Sequence, residues 1–185
     1  MCRAPEMRSA VGMLTGIVKH TAHNSATQQA PLAVITVTYS PGEHLAHLID
    51  SIADATERDV VLVCADNGSK DGVPQQAARE HEHVEFLPTG GNIGYGAAIN
   101  KAAGALAGRR QAGAIRDDYF LIVNPDVEFT PGSLDELIRC ANDAPNAGAA
   151  GPRIEEADGS AYPSAREVPG LITGIGHALL YDYWP

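Results

Sequence analysis

Four short apolar runs, Pro31–Tyr39, Val60–Cys64, Val84–Leu87 and Tyr119–Val123, are separated by segments long enough to hold a helix. That alternation constrains the chain more than any other feature. Runs rich in Val, Ile, Thr and Tyr suit the pleated, buried surface of a strand. Strands that run the same way need a crossover between them, usually a helix. The spacers carry helical spacing: Leu45, Leu48, Ile49 and Ile52 predict a helix ending near Thr56. A short helix is predicted from about Val73 to Glu80, and one of small residues through Ala97, Ala98, Asn100 and Ala102 to about Leu106. Another follows Thr130-Pro131, with Leu134, Leu137 and Ile138 facing inward, and Ala147–Gly151 suits a short strand. The expected fold class is α/β, a mostly parallel sheet with helices on both faces.

Other signals mark boundaries. Ser40-Pro41-Gly42-Glu43 reads as a capping box with Pro at the first helical position. Ala107–Asp118 reads as a polar connection, and Met1 to about Ala30 as a poorly ordered leader. Arg153–Pro185 is less regular, with a loop at Tyr162–Arg166 and a short helix over Gly170–Leu180. The ending Tyr183-Trp184-Pro185 is the kind expected of a truncated chain, so residues 31–185 are read as one incomplete domain.

Composition excludes some function classes. Against 13 Lys plus Arg stand 23 Asp plus Glu, a formal net charge of −10, which argues against a broad nucleic-acid surface. A small anionic ligand is still admissible, because one metal ion inverts the sign of a local site. Cys2, Cys64 and Cys140 are scattered, with no zinc spacing and no disulfide framework implied, and a reducing cytosol fits. Cys64 lies in an apolar run and reads as a small buried hydrophobe. No apolar stretch approaches the ~20 residues of a membrane helix. Ala10–Val18 is broken by Gly12, Thr15 and Gly16, and does not read as a signal peptide.

Two acidic motifs carry chemistry. Asp66-Asn67-Gly68-Ser69 follows the second run, and Asn124-Pro125-Asp126 follows the fourth. Ligands of open α/β sheets bind beyond the carboxyl ends of strands. One acid there can accept hydrogen bonds from a base or sugar, and the other can hold a divalent metal on a diphosphate. Asp66 would accept from the N–H of a pyrimidine base. The competing reading is structural, because Asp-Asn-Gly-Ser is also a good turn sequence. Asp126 is the metal candidate, against a plain solvated turn, and Glu128 is read as its solvated neighbour. Gly90–Gly96 lacks the spacing of a dinucleotide fingerprint. It either lets backbone N–H groups approach a diphosphate, with Asn92 and Asn100 assisting, or is a plain helix entry. Arg166 suits a phosphate or acceptor contact or an exposed loop; His177 suits a late metal ligand or a partly buried helix position.

In order and spacing, Val34–Tyr39, Ala65–Ser69, Gly91–Asn100 and Val123–Val127 resemble the donor half of family-2 glycosyltransferases with the GT-A fold. Leu87-Pro88-Thr89-Gly90 and Tyr162–Arg166 strengthen the likeness to one actinobacterial branch. That branch adds L-rhamnose from dTDP-rhamnose to N-acetylglucosaminyl-diphospho-decaprenol, building the linker between arabinogalactan and peptidoglycan. The resemblance spans about Pro31 to Pro185. It implies that Tyr39 meets the nucleotide and that Asp66 is the base-binding acid. It implies that Asn92, Gly94, Tyr95 and Asn100 belong to the nucleotide-sugar pocket, and that Arg166 binds substrate. Asp126 then holds Mg²⁺ or Mn²⁺, with Asn124 standing where many members have the first Asp of a DxD-type motif. The family's general base is expected beyond Pro185, so this chain is expected to carry the donor and metal side and not to transfer sugar unaided. A lipid-linked acceptor implies a cytoplasmic location, with peripheral association at the inner face of the plasma membrane. Two other readings stand beside it. A sugar-phosphate nucleotidyltransferase would be expected to show a basic residue in a glycine-rich loop near the first strand, where Ser40–Glu43 has none. A nucleotide-binding module, or an inactive remnant, is compatible with both acids.

Overall fold

The computed structural model describes residues 6–9, 16–19, 30–116, 118–144, 146–156 and 158–162. Arg166, His177 and the helix expected over Gly170–Leu180 lie outside them. The strands are β1 (Glu6–Ser9), β2 (Gly16–Lys19), β3 (Leu32–Thr38), β4 (Val60–Asp66), β5 (Val84–Pro88), β6 (Tyr119–Val123), β7 (Val127–Phe129), β8 (Ala149–Ala150) and β9 (Arg153–Glu155). The helices are α1 (His44–Ala55), α2 (Val73–Glu80), α3 (Tyr95–Gln111) and α4 (Ser133–Asp143).

The main sheet has the order β5-β4-β3-β6-β2-β8. Pairings among β5, β4, β3 and β6 are parallel, as the strand–helix alternation predicts. The β-branched run of β3 is central, and Leu32–Thr36 are buried. Its residues alternate between two cores, as a period of two requires. Leu32 and Val34 join Leu62 and Cys64 of β4, Leu48 and Ile52 of α1, and Leu134 and Leu137 of α4. Ala33 and Ile35 join Val63 and Ala65 on the other face, beneath Ala98, Ala102 and Leu106 of α3. Burying each large aliphatic residue there contributes about 1.5–3 kcal/mol. The alanines of α3 let its backbone lie close to the sheet.

Several local expectations differ from the structure. The chain from Ser40 to Glu43 does not form a capping box. Helix α1 begins at His44 with Glu43 as N-cap and no side-chain cap bond, because Ser40 is drawn into a neighbouring loop. Helix α4 likewise starts after Gly132 rather than at Thr130-Pro131. Helix α3 continues to Gln111, into the stretch read as a polar connection. That connection also buries Arg116 against Asp118, with Arg116 Nε 2.8 Å from Asp118 Oδ1. No strand was anticipated before Pro31, yet β2 pairs antiparallel with β6 from Gly16↔Ile122 to Lys19↔Tyr119. A second sheet has the order β7-β1-β9. Cys64 is a buried free thiol, as read, whereas Cys140 is disulfide-bonded, which the cysteine spacing does not indicate.

Candidate functional site

The carboxyl ends of β3, β4 and β6 meet the start of α3 around a cleft of about 400 Å³. Strand β3 and the loop after it supply Val37, Tyr39, Ser40 and Pro41, and α1 supplies His44. Asn67 enters from the end of β4, and Asn92 and Tyr95 from the glycine-rich turn. The turn between β6 and β7 closes the ring with Asn124, Pro125 and Asp126. Among these described residues Asp126 is the single carboxylate, and no Lys or Arg lines the cleft.

The two acids singled out by sequence have opposite surroundings. The β3–β4 register sets Thr38 opposite Asp66, and the Thr38 hydroxyl donates to Asp66 Oδ1 at 2.8 Å. The Ser69 hydroxyl donates to the same oxygen. Asp66 Oδ2 accepts from the backbone N–H groups of Gly68 and Ser69 at 3.1 and 3.0 Å. This carboxylate is buried, bonded both to its own turn and to Thr38 of β3, and not part of the cleft lining. Its neighbour Asn67 lines the cleft instead, with Oδ1 2.9 Å from the Thr89 hydroxyl.

Asp126 Oδ1 and Asn124 Oδ1 are both buried and have no hydrogen-bond partner. Leaving such oxygens unpaired costs stability unless a ligand completes them. Two hard oxygen donors on one turn suit Mg²⁺ or Mn²⁺. Among the described residues no three His, Cys, Asp or Glu side chains converge, so ligand oxygens and water would fill the remaining positions. Tyr95 reports the same field. Desolvation, and then the Asp126 charge, push its phenol up from 10.0 to about 12. It is therefore a protonated O–H donor throughout the physiological range.

The lip of the cleft is built from two interlocked loops. Ser40 has a φ of +53°, which non-glycine residues seldom adopt. Its N–H donates to Ser69 Oγ at 2.8 Å, and its own Oγ accepts from the Lys70 N–H at 3.0 Å. The Gly42 N–H donates to Asp71 Oδ2 at 3.0 Å. These bonds explain why Ser40 is unavailable as a helix cap.

The structure thus brings Tyr39, Asn92, Tyr95 and Asp126 together. Gly94 stands at the N-cap of α3, its carbonyl 3.4 Å from Asn67 Nδ2. Asp66 and Asn100 fall outside the lining, and Asn100 is exposed on α3. Glu128 is also exposed, and faces His47 of α1 at 3.5 Å rather than joining Asp126. Sequence reasoning missed Asn67 and His44 as lining residues. The alternation of β4 does not separate Asp66 from Asn67, because its two series, Leu62 with Cys64 and Val63 with Ala65, each face a core.

The family model described as glycosyl transferase family 2 matches residues 33–175. The chain is 48% identical over 157 residues to the N-acetylglucosaminyl-diphospho-decaprenol L-rhamnosyltransferase of Mycobacterium tuberculosis, in strains CDC 1551 / Oshkosh and ATCC 25618 / H37Rv. The alignment covers 83% of this chain and 51% of those proteins, so the chain spans about half the length of the curated relatives it matches. Among solved structures, S. aureus TarS aligns with a TM-score of 0.46 and 21% identity, over 61% of this chain and 20% of that one. The family match takes in most of the chain, including all four parallel strands and the cleft: the protein belongs to glycosyltransferase family 2.

Proposed function

We propose that this chain forms the donor-binding part of an inverting transferase that moves L-rhamnose from dTDP-rhamnose to a polyprenyl-diphosphate-linked N-acetylglucosamine. The observation that carries the reading is the pair of unpartnered buried oxygens, Asn124 Oδ1 and Asp126 Oδ1, in a cleft at the strand ends. The 48% identity to rhamnosyltransferases supports the choice of sugar and acceptor. In this reading Asn124 and Asp126 hold Mg²⁺ or Mn²⁺, which when bound offsets the charge that gathers on the diphosphate as the sugar departs. Tyr95 donates its phenolic O–H to the donor, and Asn92 adds an amide. Tyr39, an exposed aromatic ring in the lining, covers the nucleoside. Asn67, rather than Asp66, presents an amide edge to the base, because Asp66 is spent on its own turn. Acceptor activation and the general base belong to the activity of the whole protein, at the inner face of the membrane. No helix among the described residues is long and apolar enough to cross one.

The test is calorimetric titration of dTDP and UDP, with and without Mn²⁺, on wild type and Asp126→Ala. Metal should tighten dTDP binding to the wild type by about tenfold or more, and the variant should lose that increment. Equal binding of UDP and dTDP would remove the nucleotide assignment. Metal enhancement that persists in the variant would remove Asp126 from the site.

A further inference from the structure

We infer that His44 is a second contact for the donor diphosphate, one that acts independently of the metal. The inference rests on the reading of the cleft as a nucleotide-sugar site and goes beyond it by naming what meets the phosphates on the α1 side. A nucleoside diphosphate brings about two or three negative charges into a cleft. The described lining already holds the Asp126 carboxylate and offers no Lys or Arg. A cation at Asn124 and Asp126 would answer that charge from the turn between β6 and β7. At the start of α1, His44 is the one side chain among the described lining residues able to carry a positive charge.

Its place in the fold suits that task. His44 is the first residue of α1, a helix of 12 residues, and its side chain is exposed rather than committed to either core. Pro41, three residues earlier, also lines the cleft, so the start of the helix opens onto it. The positive end of the helix dipole favours an anion at the same point. One turn further on, His47 pairs with Glu128 at 3.5 Å and is directed away from this role. The other titratable groups in the cleft lining are the Asp126 carboxylate and the Tyr39 and Tyr95 phenols. The contact does not depend on titration, because a neutral imidazole still offers one N–H donor and the protonated ring offers two.

The experiment compares dTDP and thymidine as ligands of the 185-residue chain, in Mn²⁺ and in EDTA, for wild type, His44→Ala, His44→Gln and Asp126→Ala. His44→Ala should weaken dTDP by roughly 5- to 20-fold in both media and leave thymidine unchanged. His44→Gln keeps an N–H donor and should recover part of the loss. Asp126→Ala should lose the Mn²⁺ increment yet keep the affinity that His44 provides in EDTA. Affinity of His44→Ala for dTDP within about twofold of wild type overturns the inference alone. So does an equal loss for thymidine, which would mark a packing effect. A wild type that binds dTDP in neither medium overturns the cleft reading and this inference together.

Discussion

Asp66 and Asp126 read alike in the sequence, each an acid just past a buried strand, and they separate on what their oxygens meet. Asp66 takes four donors from Thr38, Gly68 and Ser69, whereas Asp126 Oδ1 takes none. Asp66→Ala should therefore cost about 2–4 kcal/mol in urea unfolding, since it strips partners from buried groups. Asp126→Ala should change stability by less than about 1 kcal/mol, since no hydrogen bond to that buried oxygen is lost. The Asp-Asn-Gly-Ser motif was legible as either a turn or a ligand contact, and the register with Thr38, which no local pattern holds, adds a bond from β3 to those its carboxylate makes in the turn. Cys64 gives a prediction in pH. Burial, and then the Asp66 charge, raise its thiol from 9.0 to about 12. The folded chain thus keeps a proton that the unfolded chain releases, and stability falls as pH climbs from 9.0 towards about 12. Denaturant midpoints should show that decline, and Cys64→Ala should flatten its onset between pH 9.0 and 10.0, below the ordinary tyrosine range. The alkaline slope left in the variant should come from Tyr95 and Tyr119, which shift in the same direction.

At the scale of elements, the strands and helices of the parallel sheet were legible because each carries its own periodicity. Helix α2 and strand β6 fall where the sequence puts them, at Val73–Glu80 and Tyr119–Val123. The entries to α1 and α4 were not, because a Ser-x-x-Glu or Thr-Pro signal cannot disclose that a loop elsewhere claims the serine or that a glycine takes the turn. The entry to α3 illustrates what the glycine-rich motif does. Gly94 sits at φ +85° and ψ +163°, a region essentially reserved for glycine, and an added Cβ would meet nothing within 4 Å. The cost of Gly94→Ala is then purely conformational, about 1–3 kcal/mol, and it should also displace Tyr95 and weaken dTDP. Gly104, inside the same helix with open space around its Cβ, makes the control. Gly104→Ala should stabilise the chain by about 0.5–1 kcal/mol in thermal melts and leave dTDP affinity alone.

Across the whole molecule, the fold class followed from alternation, but the outer part of the sheet did not. Strand β2 is four residues long and becomes a strand only by pairing with β6 and β8, information that no local pattern holds. The cleft gathers three strand ends and two helix starts, so ligand binding should report on global stability. Saturating dTDP with Mn²⁺, at about 100 times its dissociation constant, should add about 2.7 kcal/mol and raise the melting temperature by roughly 5–10 °C, with no such rise for the metal in Asp126→Ala. The interlocked loops at the lip carry a consequence for descent. Ser40 and Ser69 are 29 residues apart in sequence, yet the N–H of one is satisfied by the hydroxyl of the other, while the Ser40 hydroxyl anchors Lys70 in return. Replacing Ser69 takes the acceptor from the Ser40 N–H, and replacing Ser40 takes the acceptor from the Lys70 N–H, so either change alone unties one of the bonds that join the loops. Among homologues the second serine should outlast the first, because its hydroxyl serves both the Ser40 backbone N–H and Asp66, whereas the first serves the Lys70 N–H alone.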